Sequence, residues 1–175
     1  MGDVRTVGID PGLDGGLAIM NNNRLCGIKV MPTKPGAKGG RDIDAAALAN
    51  ILTSWAPIDK VAVEQVHAMK GQGVTSTFNF GKGYGKVLAV IEVLKIPMTS
   101  VTPQRWKKSI LDGLGRDKNA SIRFVQSAFP GVDFRATERC KVPHDGVAEA
   151  TCLAEYARRE VLGFAGPIVG ACPQE

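Results

Sequence analysis

Four carboxylates stand where local structure gives them little reason to be. Asp10 closes the apolar run VGID just before Pro-Gly, and Glu64 closes the run VAVE. Asp145 and Glu149 fall in the otherwise apolar segment DGVAEATCLA. At i and i+4 on a helix these two are only about 40° apart around the axis, so they share a face. Like charges at that spacing repel by a few tenths of a kcal/mol, and a divalent cation between them reverses the sign. Clustered carboxylates suit hard, oxygen-preferring ions such as Mg2+ or Mn2+ and suit zinc poorly. Two such ions support phosphodiester displacement by activating water and stabilising the leaving oxygen. Each acid also has an ordinary reading: a turn residue for Asp10, a solvent-facing strand position for Glu64, a first-turn helix acid for Asp145 and the margin of a buried face for Glu149. All four at element ends or among apolar neighbours favour a shared site.

Those residues need elements to hold them. Residues 4–10, 17–20 and 24–31 read as three strands joined by Gly- and Asn-rich turns, an antiparallel meander. Residues 32–41, PTKPGAKGGR, read as a basic, mobile loop. A helix is expected over 42–55 with Asp42 or Asp44 as cap. Residues 61–63 form a short buried strand that delivers Glu64. The Gly-rich stretch 71–85 passes near Thr77 into a helix best defined over 86–94, whose face of Val87, Val90, Ile91 and Leu94 is either core or a dimer surface. Residues 98–101 form a further strand. Thr102-Pro103 opens a basic helix through Leu111, with further helices over 117–129 and 144–162. The expected fold class is α/β, with an antiparallel meander extended by parallel crossover strands and flanked by helices. One domain is expected over residues 1–162, followed by an irregular tail over 163–175.

The chain has 175 residues, 22 Lys+Arg against 17 Asp+Glu and a net charge of +5; its 44% hydrophobic and 22% charged content excludes disordered and fibrous classes. No run approaches a membrane span and no signal peptide is evident, so a soluble, cytoplasmic protein is expected. Cys26, Cys140, Cys152 and Cys172 form no CxxC pair and no zinc-like spacing with His67 or His144. They are read as reduced and structural, Cys152 as a core residue.

Positive charge is segregated. Residues 24–41 hold Arg24, Lys29, Lys34, Lys38 and Arg41 with no acid, and residues 102–141 hold nine basic residues against four acidic ones. An acidic centre acting on DNA needs flanking cations to neutralise phosphates. The candidates are Arg105, Lys107 and Lys108 on the helix after Pro103, Arg116 and Lys118 around the Gly115 turn, and Lys82 and Lys86 near the glycines. Ordinary solvated helix faces are the other reading.

In order, VGIDPGLDGGLAIM, VAVEQV, VTPQRWKKSILDGLGRDKNASIRFV and PHDGVAEATCLAEYA resemble a RuvC-type Holliday-junction resolvase of the ribonuclease H-like, integrase-like superfamily, in its bacteriophage form. The resemblance spans about residues 4–159. It implies that Asp10, Glu64, Asp145 and Glu149 are catalytic, Mg2+-binding carboxylates, with Mn2+ able to substitute. It also implies a ribonuclease H-like fold and a homodimer that nicks two strands of a four-way DNA junction, leaving 5′-phosphate and 3′-hydroxyl ends.

The chain departs from the housekeeping pattern, whose last two acids are three apart, and this brings His144 forward as a further ligand or water-steering group. The position three beyond Glu64, often a base-stacking aromatic, is His67. Phe78 or Phe80 is the alternative stacker, although core packing is the favoured reading for both. An actin-like phosphotransferase would need a second lobe, which this length does not hold. A nuclease acting on RNA/DNA hybrids and a non-catalytic junction-binding protein remain alternatives.

Overall fold

The computed structural model describes residues 2–36, 39–67, 71, 73–115, 117, 119–164 and 166–173. Strands β1 (Arg5–Asp10), β2 (Gly16–Asn21) and β3 (Arg24–Val30) form the expected meander, with Arg5 opposite Asn21 and Asp10 opposite Gly16. Asn22 turns the second hairpin at φ 52°, a backbone region that asparagine tolerates. The segment read as a basic loop is instead partly ordered. Thr33–Pro35 (β4) and Arg41–Ile43 (β5) pair as a small antiparallel hairpin, anchored where the Asp44 N–H donates to the Pro32 carbonyl. Helix α1 (Ala45–Ser54) follows, with the Asp44 carboxylate accepting from the Ala46 and Ala47 amides.

Strand β6 (Lys60–Glu64) runs parallel to β1, pairing Val7 with Val61 and Ile9 with Val63. Helix α2 (Val74–Val93) begins earlier than expected, and β7 (Met98–Val101) then adds parallel to β6. The five-stranded order is β3-β2-β1-β6-β7. Helices α3 (Pro103–Ile110), α4 (Ala120–Ala128) and α5 (Asp145–Tyr156) complete the architecture, and α5 continues into a π-helical turn, Ala157–Val161. No helix among the described residues is long and apolar enough to cross a membrane.

Strand alternation assigns the two faces. Val7, Ile9, Val61 and Val63 pack with Leu48 and Leu52 of α1 and Val87 and Ile91 of α2. Ala62 packs on the other face with Trp106 of α3, Val125 of α4 and Ala150 and Leu153 of α5. The α2 face of Val87, Val90, Ile91 and Leu94 is therefore core packing on the sheet. Phe78, expected in the core, is 70% exposed, while Phe80 is half-buried.

Helix α5 lies unusually close to the sheet because small residues meet there. A Cβ on Gly8 of β1 would collide with the Ala150 carbonyl and the Ala154 amide, and one on Gly146 would collide with the Asp14 carbonyl and Gly15. Gly146, Ala150 and Ala154 recur every four residues, so they form one helix face. The Thr6 hydroxyl donates to the Ala154 carbonyl at 3.1 Å and locks the approach.

The four thiols are not all reduced: Cys26 and Cys172 are joined by a disulfide, while Cys140 and Cys152 are free. The physical reason lies in the tail, which runs beside the edge strand β3. Leu25 N–H donates to the Gly170 carbonyl at 3.0 Å and Cys172 N–H to the Leu25 carbonyl at 2.8 Å. That pairing brings the two Cα atoms to 4.8 Å.

Candidate active site

Asp10 and Glu64 end two adjacent parallel strands, at even positions that point to the same face as Gly8 and Ala62. That face is the one covered by α3 and α5. The site therefore sits at the carboxyl ends of β1 and β6, the usual place for a crevice in such sheets.

The Asp10 carboxylate accepts from the Gly12 amide at 3.2 Å. Burial pushes its pKa up to about 7. The Gly12 bond and the Lys107 charge oppose that rise, while the Glu149 and Glu64 charges reinforce it. Burial likewise raises Glu64, against the bond it accepts from Trp106, with Glu149 adding to the rise and Lys107 reducing it. Asp10, Glu64 and Glu149 thus share one electrostatic neighbourhood, and Lys107 is its cation. Lys107 Nζ donates to Glu149 Oε1 at 2.7 Å. Burial pulls the Lys107 ammonium down, but its bond to Glu149 and the surrounding negative charge outweigh that and leave it raised.

Asp145 stands exposed in the first turn of α5, one turn before Glu149. His144 is the N-cap of α5: its Nδ1 accepts from the Val147 amide at 3.3 Å. That bond assigns Nδ1 to the helix end, leaving only Nε2 for any other partner. His67 is exposed beyond the end of β6.

The proposed DNA-facing cations divide. Arg105 and Lys108 are exposed on α3. Lys107 and Lys108 also line a cleft of about 600 Å3 between α3 and the start of α4, together with Gln104 and Ser121. Lys82 and Lys86 are instead drawn onto Asp42, at 3.0 and 2.7 Å, and hold that carboxyl at about 2. Arg116 and Lys118 lie outside the described residues.

Two contributions escaped the reading of the sequence. Trp106 is fully buried, and its indole N–H donates to Glu64 Oε2 at 2.8 Å. Lys107, taken as a phosphate contact, grips Glu149. The available signal was a single Trp in a strongly basic helix, since a buried indole needs an acceptor.

The donor set fits a hard divalent ion in kind, being three carboxylates without sulfur or imidazole. Among the described residues, no three His, Cys, Asp or Glu side chains stand close enough together to grip one ion, and Lys107 balances the charge.

No family model matches the chain, and no curated protein matches its sequence. Solved structures do. RuvC of T. thermophilus in complex with a Holliday junction substrate superposes with a TM-score of 0.62 at 19% identity, covering 94% of this chain and 99% of that one. A second Thermus thermophilus RuvC structure gives 0.60 at 21% identity over 94% and 99%. The yeast mitochondrial Holliday junction resolvase Ydc2 gives 0.61 at 12% identity over 92% and 80%. Over these superpositions, the chain has the ribonuclease H-like fold of the RuvC resolvases.

Proposed function

We propose that this chain is a divalent-metal-dependent endonuclease that resolves four-way or branched DNA junctions by paired nicks, leaving 5′-phosphate and 3′-hydroxyl ends. The supporting observation is the convergence of Asp10, Glu64 and Glu149 from β1, β6 and α5 at one end of a sheet with the RuvC fold. Asp10, Glu64 and Glu149 are the ligands in this reading, and Asp145, one turn away and exposed, joins them on the α5 face. Mg2+ is the expected ion and Mn2+ a substitute, in one- or two-ion occupancy. When bound, the metal supplies Lewis-acid polarisation of the scissile phosphate and activates the attacking water.

The chain's own groups do the rest. Asp10, held by the Gly12 amide, is buried enough to keep a proton near neutrality and releases it when positive charge enters. Lys107 balances Glu149 until then and stands where a phosphate oxygen would meet a cation. Arg105 and Lys108 extend that positive surface along α3 and draw in the backbone. His67, exposed past Glu64, is placed to meet an unpaired base.

The active form is a homodimer, because a junction presents two symmetric strands. The apolar face of α2 that remains outside the core supports this. Val74, Phe78 and Val93 are 88%, 70% and 78% exposed, and they line up with Gly81, Gly85 and Ala89 along one side of the helix. The chain works as a single domain over residues 1–162 in the cytoplasm, with the tail as an edge strap.

An RNA/DNA-hybrid nuclease is the second reading, favoured by the ribonuclease H-like sheet itself. Incubating the protein with Mg2+ and equal amounts of a four-way junction, a hybrid duplex and a plain duplex separates the two. Preferential nicking of the junction is expected; preferential cleavage of the hybrid strand would replace it with the second reading.

A further inference from the structure

Helix α3 follows β7 with only Thr102 between, and Pro103 at its first turn fixes the direction of departure. Its residues 106 and 107 consequently come down over the ends of β6 and β1. These two neighbours reach two different carboxylates: Trp106 bonds Glu64 at 2.8 Å and Lys107 bonds Glu149 at 2.7 Å. The two contacts differ in kind. Lys107 is half-exposed, its ammonium 5.0 Å from the Trp106 ring centroid, and its bond to Glu149 is one that an incoming cation can displace. Trp106 is fully buried in the α3–α5 core with Ala62, Ala148 and Phe129, so its ring cannot swing away. An indole nitrogen is a donor only. It fixes a single oxygen of Glu64 and leaves the second for another partner.

We propose that Trp106 is a positioning residue of the metal site, presetting Glu64 by holding Oε2 through its buried N–H. This rests on the metal-dependent reading above. An unheld glutamate at a strand end samples several rotamers, and an ion must freeze them. With Trp106 in place, that ordering exists before the ion arrives. Outer-shell hydrogen bonds of this type are worth about 10–100-fold in metal affinity.

The test is calorimetric Mn2+ titration of wild type, Trp106→Phe, Phe129→Leu and Asp10→Asn, with thermal melts of each. Phe129→Leu is the packing control, because it thins the same core without touching a carboxylate. Trp106→Phe is expected to lose about 10–100-fold in Mn2+ affinity, whereas Phe129→Leu binds like wild type despite a lower Tm. Wild-type affinity in Trp106→Phe, or an equal loss in Phe129→Leu, overturns the proposal while an Asp10→Asn loss leaves the metal reading standing. If wild type and Asp10→Asn fail alike to bind Mn2+, the metal reading falls and takes this inference with it.

A second measurement needs no Trp106 variant. In 15N-labelled protein, the Trp106 indole N–H signal, assigned with Trp55→Phe, should shift with Mg2+ in an Asp10-dependent manner. An indole signal indifferent to saturating Mg2+ contradicts the proposal.

Discussion

Lys107 Nζ meets Glu149 Oε1 at 2.7 Å, joining α3 to α5 across the mouth of the carboxylate cluster. Its side chain is 45% exposed and that of Glu149 24%, so solvent screens the pair, and it contributes at most about 1 kcal/mol to stability. Its position matters more, because the same ammonium also lowers Asp10 and Glu64. Lys107→Gln should therefore reduce junction nicking by roughly tenfold or more, in the range of a lost charge-stabilising group, with a melting temperature close to wild type. Single-turnover cleavage beside a thermal melt checks this. Normal nicking, or a collapse in Tm, would contradict it.

Asp10 sets the pH response. Its folded value of about 7 lies above the ordinary 3.8. The stability it contributes is thus fully present below about pH 4 and is lost as pH rises through about 7. Asparagine cannot ionise, so without metal the advantage of Asp10→Asn over wild type should grow between pH 5 and 8, by on the order of 2 kcal/mol. In wild type, Mg2+ affinity should weaken as pH falls below about 7, because a proton must leave. Melts at four pH values with chelator present test the first claim, and parallel curves would refute it.

The outer face of α2 makes a separate prediction. Phe78, 70% exposed, should be buried in the dimer, and Phe78→Asp should place a charge against its symmetry mate or a neighbouring apolar side chain. Light scattering should find wild type dimeric at micromolar concentration and the variant monomeric, with the two nicks in a junction no longer coupled. A monomeric wild type, or a dimeric variant, would rule out this face.

The tail offers a redox test. Cys26 and Cys172 close a separation of 146 residues, a length at which a crosslink stabilises by about 5 kcal/mol at most. Under denaturation without reductant, alkylation should modify two thiols, Cys140 and Cys152. With reductant it should modify four, and the native tail should become protease-sensitive. Four reactive thiols in the unreduced protein would show that the strap is held by its backbone bonds alone.

The meander, the two parallel strands and the acids at their ends were legible because alternation and turn residues are local signals. Glu64 follows Val61-Ala62-Val63, and period two alone sends it to the Ala62 face. The β4–β5 hairpin was not legible: Thr33-Lys34-Pro35 lacks alternation, and its pairing depends on the frame around it. The disulfide was hidden for the same reason, since only the tail's run along β3 brings Cys172 to Cys26. Lys82 and Lys86 looked like free cations until the fold set Asp42 beside them. The bond from Trp106 to Glu64 depends on the angle at which α3 leaves β7, which no spacing records. The close-packing face of Gly146, Ala150 and Ala154 was likewise not read from the sequence; it brings α5, and Glu149 with it, against β1.

The most direct test is a four-way junction with one labelled strand, incubated with the protein in Mg2+, in EDTA, and with Asp10→Asn in Mg2+. The expected result is paired nicks near the branch point with wild type and Mg2+ alone, the products carrying 5′-phosphates that a ligase can seal. Undiminished cleavage in EDTA or by Asp10→Asn would contradict the carboxylate-metal site. Tight junction binding with no cleavage in Mg2+ or Mn2+ would contradict the nuclease.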